Sequence, residues 1–248
     1  MIRGIIFDLG STLMYFDGKW EDIDKSSTQS LAQFLNAHGI AVGADFDALF
    51  HEQRKRGWLL SDETEIEHTA EQALRATLME MGSFSLDGLL PRAVEAYFAH
   101  GERQWRAYPD AIATLQALQA RGLKIGLISN ADDDGLVQRC VTRLGFAPFL
   151  SPVLSSAMEP YWRKPDARIF HRVSDAWQLP SGEIVMVGDA ARYDIVGAHR
   201  AGMLGILIDR GDSAPWQNIP DELASDPFVQ PDAKASSLAE ILTVIEKM

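Results

Sequence analysis

Several apolar runs in this sequence end in a polar residue that could do chemistry. Asp8 follows the first run, Ser129 and Asn130 follow the second, and Asp189 follows a later one, while Lys164 stands just before a predicted helix. A carboxylate that attacks phosphorus must be shielded from the negative charge of a phosphate ester, and the oxygens of the transferred group need positive partners. These residue types therefore indicate phosphoryl transfer.

A divalent cation would supply part of that positive charge. Mg²⁺ prefers hard oxygen ligands and keeps several of its waters in protein sites. Asp8, the Gly10 carbonyl and Asp189 could hold it beside both the nucleophile and the phosphate. Asp194, five residues after Asp189, could hold its waters. We therefore predict a magnesium site made by Asp8, Gly10, Asp189 and Asp194.

The phosphate needs further donors on the side opposite the cation. Lys164 supplies a fixed positive charge, the Ser129 hydroxyl can donate a hydrogen bond, and backbone amides near Gly10 and Asn130 can bind oxygens. We predict that Ser129, Asn130 and Lys164 bind the substrate, and that Asp8 and Lys164 are catalytic.

Each of these residues also has an ordinary structural interpretation when it is taken alone. Asp8 and Ser129 could cap helices, and Lys164 could be a solvated side chain. Asp189 could be a loop residue and Asp194 a helix-start acid. Their common placement at the ends of predicted elements favours the functional interpretation. The six histidines show no metal-binding spacing.

The elements that must position these groups form an α/β pattern. Amphipathic helices separate the apolar runs, and Gly122, Gly145 and Gly202 are placed to end three of these helices. Ligands of a parallel sheet collect at the carboxyl ends of its strands, so the polar groups should meet at one edge. The predicted strands are residues 2–7, 123–128, 153–154, 184–187 and 204–208.

The region from about residue 15 to 106 has helical spacing and no convincing strand. Asp62 and Glu65 resemble a capping pair for a helix whose apolar stripe includes Leu74. We predict an all-helical insertion at 15–106 and a core domain made of 1–14 and 107–248. A loop over 211–232 should precede a final helix from about Ser237.

Bulk properties exclude some classes of protein. The net charge of −12 argues against a protein that coats nucleic acid or anionic membrane, because such binding needs a basic patch. The single cysteine, Cys140, fits a reducing compartment and has the spacing of a buried helix residue. No signal peptide or membrane-spanning run is visible. We expect a cytoplasmic protein whose partner is a small molecule, while its oligomeric state cannot be read from the sequence.

The motifs FDLGSTL, LISN, RKPDARIF and GDAARYDIVGAHRAG, in this order, resemble those of the haloacid dehalogenase superfamily, which is mostly phosphatases. The resemblance implies a Rossmann-like three-layer core with a parallel sheet and an inserted helical cap. It also implies that Asp8 forms an aspartyl-phosphate, that Ser129 and Lys164 bind phosphate, and that Asp189 and Asp194 are metal acids. A magnesium-dependent phosphatase acting on a small phosphate monoester is the resulting expectation.

Gly10 departs from this pattern, because most phosphatases of the superfamily carry a second acid there that protonates the leaving alcohol. Losing a positioned acid or base typically costs about 10²–10⁴-fold in rate. A substrate with a good leaving group would need no such proton, and otherwise activity would be low or absent. A third explanation is a substitute acid from the cap, for which the candidates are Asp17, Glu21, Asp22 and His51.

Other functions remain open. A dehalogenase uses its Asp to attack carbon without metal, but retaining both Asp189 and Asp194 argues for a cation, since neighbouring carboxylates repel each other. A phosphonatase would need a cap lysine that forms a Schiff base. A catalytically weak protein that binds a phosphorylated metabolite is the alternative that Gly10 supports best. The cap candidates for contact with the substrate are Trp20, Arg54, Arg56 and Trp58.

Overall fold

The computed structural model describes residues 1–82, 88–211 and 217–248. Within these residues the strands are β1 (Gly4–Phe7), β2 (Met14–Phe16), β3 (Trp105–Ala107), β4 (Lys124–Ser129), β5 (Val153–Ser155), β6 (Ile184–Gly188), β7 (Leu204–Ile208) and β8 (Ala233–Ala235). The α-helices of the same residues are α1 (Trp20–Ala37), α2 (Phe46–Thr64), α3 (Ala70–Glu80), α4 (Leu90–Glu102), α5 (Ala111–Ala120), α6 (Asp134–Arg143), α7 (Ala167–Trp177), α8 (Val196–Arg200) and α9 (Leu238–Ile245).

The main sheet of the described residues is parallel and has the strand order β5-β4-β1-β6-β7-β8. Its central strand, β1, is buried along its whole length. Side chains alternate between the two faces of a strand. Ile5 and Phe7 pack in one layer with α5, α6 and α9, whereas Ile6 packs in the other with α7 and α8. The three-layer α/β core is therefore confirmed.

The five predicted strands are confirmed as β1, β4, β5, β6 and β7. Gly122, Gly145 and Gly202 have φ values of 76°, 80° and 72° just beyond α5, α6 and α8, as predicted for left-handed helix ends. Cys140 is buried in α6, which was also predicted. The sequence did not predict β8, because three residues at the sheet edge make no apolar run.

Helices α1–α4 form the inserted helical unit between β1 and β4, as predicted. They enclose a core of their own that includes Leu31, Phe50, Leu74 and Tyr97. The expectation of no strand near its ends was wrong, since β2 and β3 pair antiparallel, with Tyr15 opposite Arg106. This ribbon connects the two units and is too short to produce a recognisable pattern. The proposed boundaries at 14/15 and 106/107 fall within it and stay a prediction.

The predicted capping pair for α3 was also wrong. Asp62 lies within α2, and α3 begins after Thr69. The Thr69 hydroxyl accepts from the Gln72 amide at 3.2 Å, and the Gln72 side chain accepts from the Thr69 amide at 3.1 Å. The error arose because a local acidic pattern fits a helix start, whereas tertiary packing extends α2 past it.

The segment that follows β7 agrees in part with the predicted loop over 211–232. Residues 212–216 lie outside the described residues, and the rest contains two short 3₁₀ turns, Asp221–Leu223 and Pro227–Val229. The final helix, α9, begins after Ser237, as predicted. Across the described ranges, no helix has both the length and the apolar character needed to cross a membrane.

Candidate functional site

A buried lysine joins two carboxylates at the centre of the site. Lys164 Nζ donates to Asp8 Oδ1 at 2.6 Å and to Asp194 Oδ1 at 2.7 Å. The Lys164 side chain is only 2% exposed, and Asp194 is 1% exposed. Because an unpaired buried charge is very unfavourable, these contacts fix the ammonium beside both acids.

The charges of this cluster do not balance. Burial raises the pKa of Asp8 to about 7, since it disfavours the ionised carboxyl; Lys164 opposes the shift, while Asp194 and Asp189 increase it. Burial acts to lower the pKa of Lys164, but Asp194 and Asp8 together outweigh it and raise that pKa. The ammonium therefore stays protonated between Asp8 and Asp194, and Asp189 adds negative charge near Asp8.

The strand ends place the two principal acids side by side. Asp8 and Asp189 directly follow β1 and β6, which are neighbours in register, with Phe7 opposite Val187. Asp194 comes from a π-helical turn over Ala191–Ile195.

Gly188 allows Asp194 to approach this strand end closely. The Ala190 amide donates to Asp194 Oδ2 at 3.0 Å. A Cβ at Gly188 would lie 2.2 Å from Asp194 Cγ, so any side chain at this position would displace Asp194.

The loop after β4 positions Lys164. The Asn130 amide donates to the Lys164 carbonyl, and the Lys164 backbone amide donates to Asn130 Oδ1, both at 2.9 Å. Asn130 therefore orients the lysine backbone, a role that the sequence did not indicate. Ser129 is buried at the end of β4 and lines the same cavity as the acids.

A cavity of about 830 Å³ lies between the core and the helical unit. All of the predicted site residues line it, so the structure brings them together: Asp8, Gly10, Ser129, Asn130, Lys164, Asp189 and Asp194. Of the cap residues that were considered for substrate contact, Trp20, Arg54 and Trp58 line the cavity and Arg56 does not. Trp20 and Trp58 are 52% and 47% exposed, so neither is a core residue.

The donor set fits Mg²⁺ better than a metal that needs a complete protein cage. Among the described residues, no three His, Cys, Asp or Glu side chains are placed to hold a metal ion together, and this includes Asp8, Asp189 and Asp194. Mg²⁺ is usually held by one or two carboxylates, with waters and substrate phosphate completing its shell. Asp8 and Asp189 fit that role, and their mutual repulsion would be relieved by a cation. Both Asp194 oxygens accept hydrogen bonds from protein groups, which suits an outer position.

None of the four acid–base substitutes proposed from the sequence lines the cavity in the described part of the chain. His51 Nε2 instead lies 3.2 Å from Asp24 Oδ2 and 3.0 Å from Asp47 Oδ1, within the helical unit. The hypothesis of a cap substitute at these positions therefore gains no support from the geometry.

Sequence reasoning missed three acids that line the cavity, Asp62, Glu67 and Asp132. Each is held by several donors. Asp62 accepts from Arg163 at 3.0 Å and from Arg192 at 2.9 Å.

Glu67 and Asp132 are held in a similar way. Glu67 accepts from Ser156 at 2.5 Å and lies 3.5 Å from Arg163. Asp132 accepts from Arg54 at 2.6 Å. These contacts join cap to core, and no local pattern marks them. Only Arg163, next to Lys164 in RKPD, had a sequence signal.

Comparison with known proteins identifies the family. A model of the haloacid dehalogenase-like hydrolases matches residues 2–202. The chain is 32% identical to a phosphoserine phosphatase of Thermus thermophilus over 69% of its own length, a match that spans 63% of that relative. It is 27% identical to a glyceraldehyde 3-phosphate phosphatase of Methanopyrus kandleri over 100% of this chain and 99% of that one.

Solved structures share the fold. A 2-haloacid dehalogenase from Pseudomonas syringae pv. Tomato is 25% identical with a TM-score of 0.70, covering 100% of this chain and 99% of that one. A phosphatase from Thermococcus onnurineus is 19% identical with a TM-score of 0.60, at 98% coverage of both chains, and shows the fold alone. With its four motifs, its inserted helices and the family match over most of its length, the chain belongs to the haloacid dehalogenase-like hydrolases.

Proposed function

We propose that the protein is a magnesium-dependent phosphatase that hydrolyses a small phosphate monoester through an aspartyl-phosphate on Asp8. The observation that carries the proposal is the contact of Lys164 Nζ with Asp8 and Asp194, beside Asp189, on the core side of the cavity. A carboxylate, an ammonium and an additional acid in this arrangement suit attack on a dianionic group. Two relatives named as phosphatases support the same chemistry.

Each site residue has a separate role in the proposed phosphoryl transfer. A carboxylate oxygen of Asp8 attacks phosphorus in line with the leaving oxygen, whose bond to phosphorus breaks with the electron pair. Lys164 and the Ser129 hydroxyl neutralise and orient the phosphoryl oxygens. Asp8, the Gly10 carbonyl and Asp189 would hold Mg²⁺, which would supply positive charge to the nucleophile and the phosphate. Water then cleaves the aspartyl-phosphate, releasing phosphate and restoring Asp8.

Asp194 is proposed to act through Lys164 and through waters of the cation. Its two oxygens are occupied by the lysine and by the Ala190 amide, so it fixes the ammonium rather than the substrate. The partner expected is a small phosphorylated metabolite. The cytoplasmic location stays a prediction.

Phosphate release from a panel of phosphate esters, with and without Mg²⁺, tests the proposal. We expect turnover that requires Mg²⁺ and falls by more than about 10³-fold in Asp8→Asn, because the nucleophile is lost. Asp17→Asn is the matched control, since Asp17 does not line the cavity. Binding of phosphate esters without turnover in the wild type would instead indicate a sensor protein.

A dehalogenase is the second candidate, favoured by the absence of an acid at position 10, which the dehalogenase branch also lacks, and by the likeness to the Pseudomonas structure. In that case Asp8 would attack carbon and expel halide. Halide release from a 2-haloacid that needs no Mg²⁺ and survives Asp189→Asn would support it. Retention of Asp189 beside Asp8 favours the phosphatase, because the added carboxylate would only oppose a metal-free anionic nucleophile.

A further inference from the structure

Trp105 lies next to Gly10, the position where an acid could have stood. A Cβ built on Gly10 would lie 3.7 Å from Cη2 of Trp105, at ordinary van der Waals distance. Trp105 belongs to β3, the strand that returns from the helical unit to the core. Its ring therefore covers the backbone two residues beyond the nucleophile.

Trp105 is part of a larger apolar surface of the cavity. We call the lining residues Trp20, Trp58, Phe98 and Trp105 the aromatic wall. The Trp20 and Trp105 rings have centroids 5.9 Å apart at 69°, and Phe16 stacks on Trp20 from behind at 3.6 Å. Edge and face contacts of this kind hold the rings in fixed orientations.

The leaving group of a bound ester must extend toward this wall. In-line attack places the leaving oxygen on the side of phosphorus opposite Asp8. Asp8, Lys164 and Asp189 belong to the core, and the surface that the helical unit and β3 contribute to the cavity includes the whole aromatic wall. A leaving group that extends toward this surface can therefore pack against aromatic rings.

The acids missed by the sequence that line this cavity all accept hydrogen bonds from neighbouring side chains. Asp62 is committed to Arg163, Arg192 and Tyr193. Asp132 accepts from Arg54 and from Trp58.

Glu67, the remaining acid there, is buried and accepts from Ser156 and Ser61. A leaving oxygen bound near the wall would have to depart as an anion. That step is rapid only if the oxygen is weakly basic.

One class of leaving group both departs readily as an anion and packs well against aromatic rings. A phenol ionises near pH 10, far more readily than an ordinary alcohol, and its ring can stack on tryptophan. Resting on the phosphatase function proposed above, we propose that the preferred substrates are phosphate monoesters of phenols, with Trp105 as a specificity-determining residue. The phenolate leaves with the electron pair of its bond to phosphorus and takes its proton from solvent.

A leaving-group series tests this proposal. The probes are phenyl phosphates with ring substituents of graded electron withdrawal, n-butyl phosphate, and acetyl phosphate, whose leaving group is acidic but not aromatic. We expect kcat/KM for phenyl phosphate to exceed that for butyl phosphate by at least about 10²-fold, the usual contribution of a missing acid. For the substituted phenyl phosphates, kcat/KM should rise further as the ring substituents withdraw more electron density. Acetyl phosphate should show a higher KM than phenyl phosphate.

Two variants separate the effect of the aromatic wall on substrate binding from the effect of the missing acid on the leaving group. Trp105→Leu should raise KM for phenyl phosphate by roughly threefold to tenfold, with little change for acetyl phosphate. Phe228→Leu, an exposed ring away from the cavity, is its control. Gly10→Asp should reduce the ratio of kcat/KM for phenyl phosphate to kcat/KM for butyl phosphate, because the new acid can protonate the leaving oxygen of the butyl ester.

Equal kcat/KM for phenyl and butyl phosphate would overturn the proposal while leaving the phosphatase function intact. A lower KM for acetyl phosphate than for phenyl phosphate would overturn the aromatic class. A loss of the butyl reaction alone in Glu67→Gln would show that Glu67 supplies the proton and would also overturn it. If no ester in the series, nor acetyl phosphate, is hydrolysed with Mg²⁺, the proposed function itself fails.

Discussion

The core side and the cap side of the cavity are built in different ways. On the core side, Asp8, Asp189 and Lys164 are buried, charged and fixed by strand ends and by one another. On the cap side, the aromatic wall and paired ions come from elements far apart in sequence, and Trp20 and Trp58 are about half exposed. In the proposed phosphatase the core side would hold the phosphoryl group of any ester, so selectivity among esters would depend on the cap side.

The largest expected effect comes from removing the central ammonium. Lys164→Met would leave Asp8 and Asp194 buried without their cation, and breaking such a pair typically costs about 3–5 kcal/mol. We expect that loss in urea unfolding, together with loss of phosphoryl transfer. Lys25→Met, at an exposed position of the helical unit, is the control. A variant as stable as the wild type would contradict the comparison, since the core side would then not depend on its ion cluster.

A smaller effect is expected from one methyl group on the core side. In Gly188→Ala the new Cβ would overlap Asp194, which must move away from Lys164. Overpacking of this kind costs about 1–3 kcal/mol. Gly182→Ala, where no atom lies within 4 Å of the new Cβ, should change the unfolding free energy much less. Thermal unfolding of both variants, with phosphate release as a second readout, checks this, and equal stability of the two would refute it.

The smallest effect concerns an acid at the contact between cap and core. Burial raises the pKa of Glu67, although Arg163 and Ser156 act to lower it. The folded protein therefore binds this proton more tightly than the unfolded chain, whose reference value is 4.5. Protonated Glu67 therefore stabilises the folded state fully below pH 4.5, and this stabilisation is lost as pH rises through the raised pKa of the folded protein. Glu67→Gln keeps a neutral side chain, so we expect its stability relative to wild type to improve with rising pH.

Urea unfolding across this pH range measures the effect of Glu67. Glu63→Gln, on an exposed position of the same helical unit, corrects for the loss of one negative charge. If the free energies of unfolding of Glu67→Gln and wild type differ by the same amount at all pH values, this acid does not link cap packing to protonation.

The sequence by itself determined the core side of the site. Asp8, Ser129 and Asp189 could be assigned because each ends an apolar run, and strand ends of a parallel sheet meet at one edge. Lys164 was found for a similar reason, since Asp166 caps α7 two residues later. Local pattern was sufficient here because the backbone order of the sheet fixes where these side chains go.

Only the tertiary structure decided the cap side. The placement of Trp105 over Gly10, and of Glu67 against Ser156, depends on how two separately packed units meet, and no periodic pattern records that contact. The same reason explains the misplaced capping pair, because Asp62 extends α2 to reach Arg163 and Arg192 instead of starting a helix. Contacts between distant segments arise from shape and charge complementarity in three dimensions, which spacing along the chain does not specify.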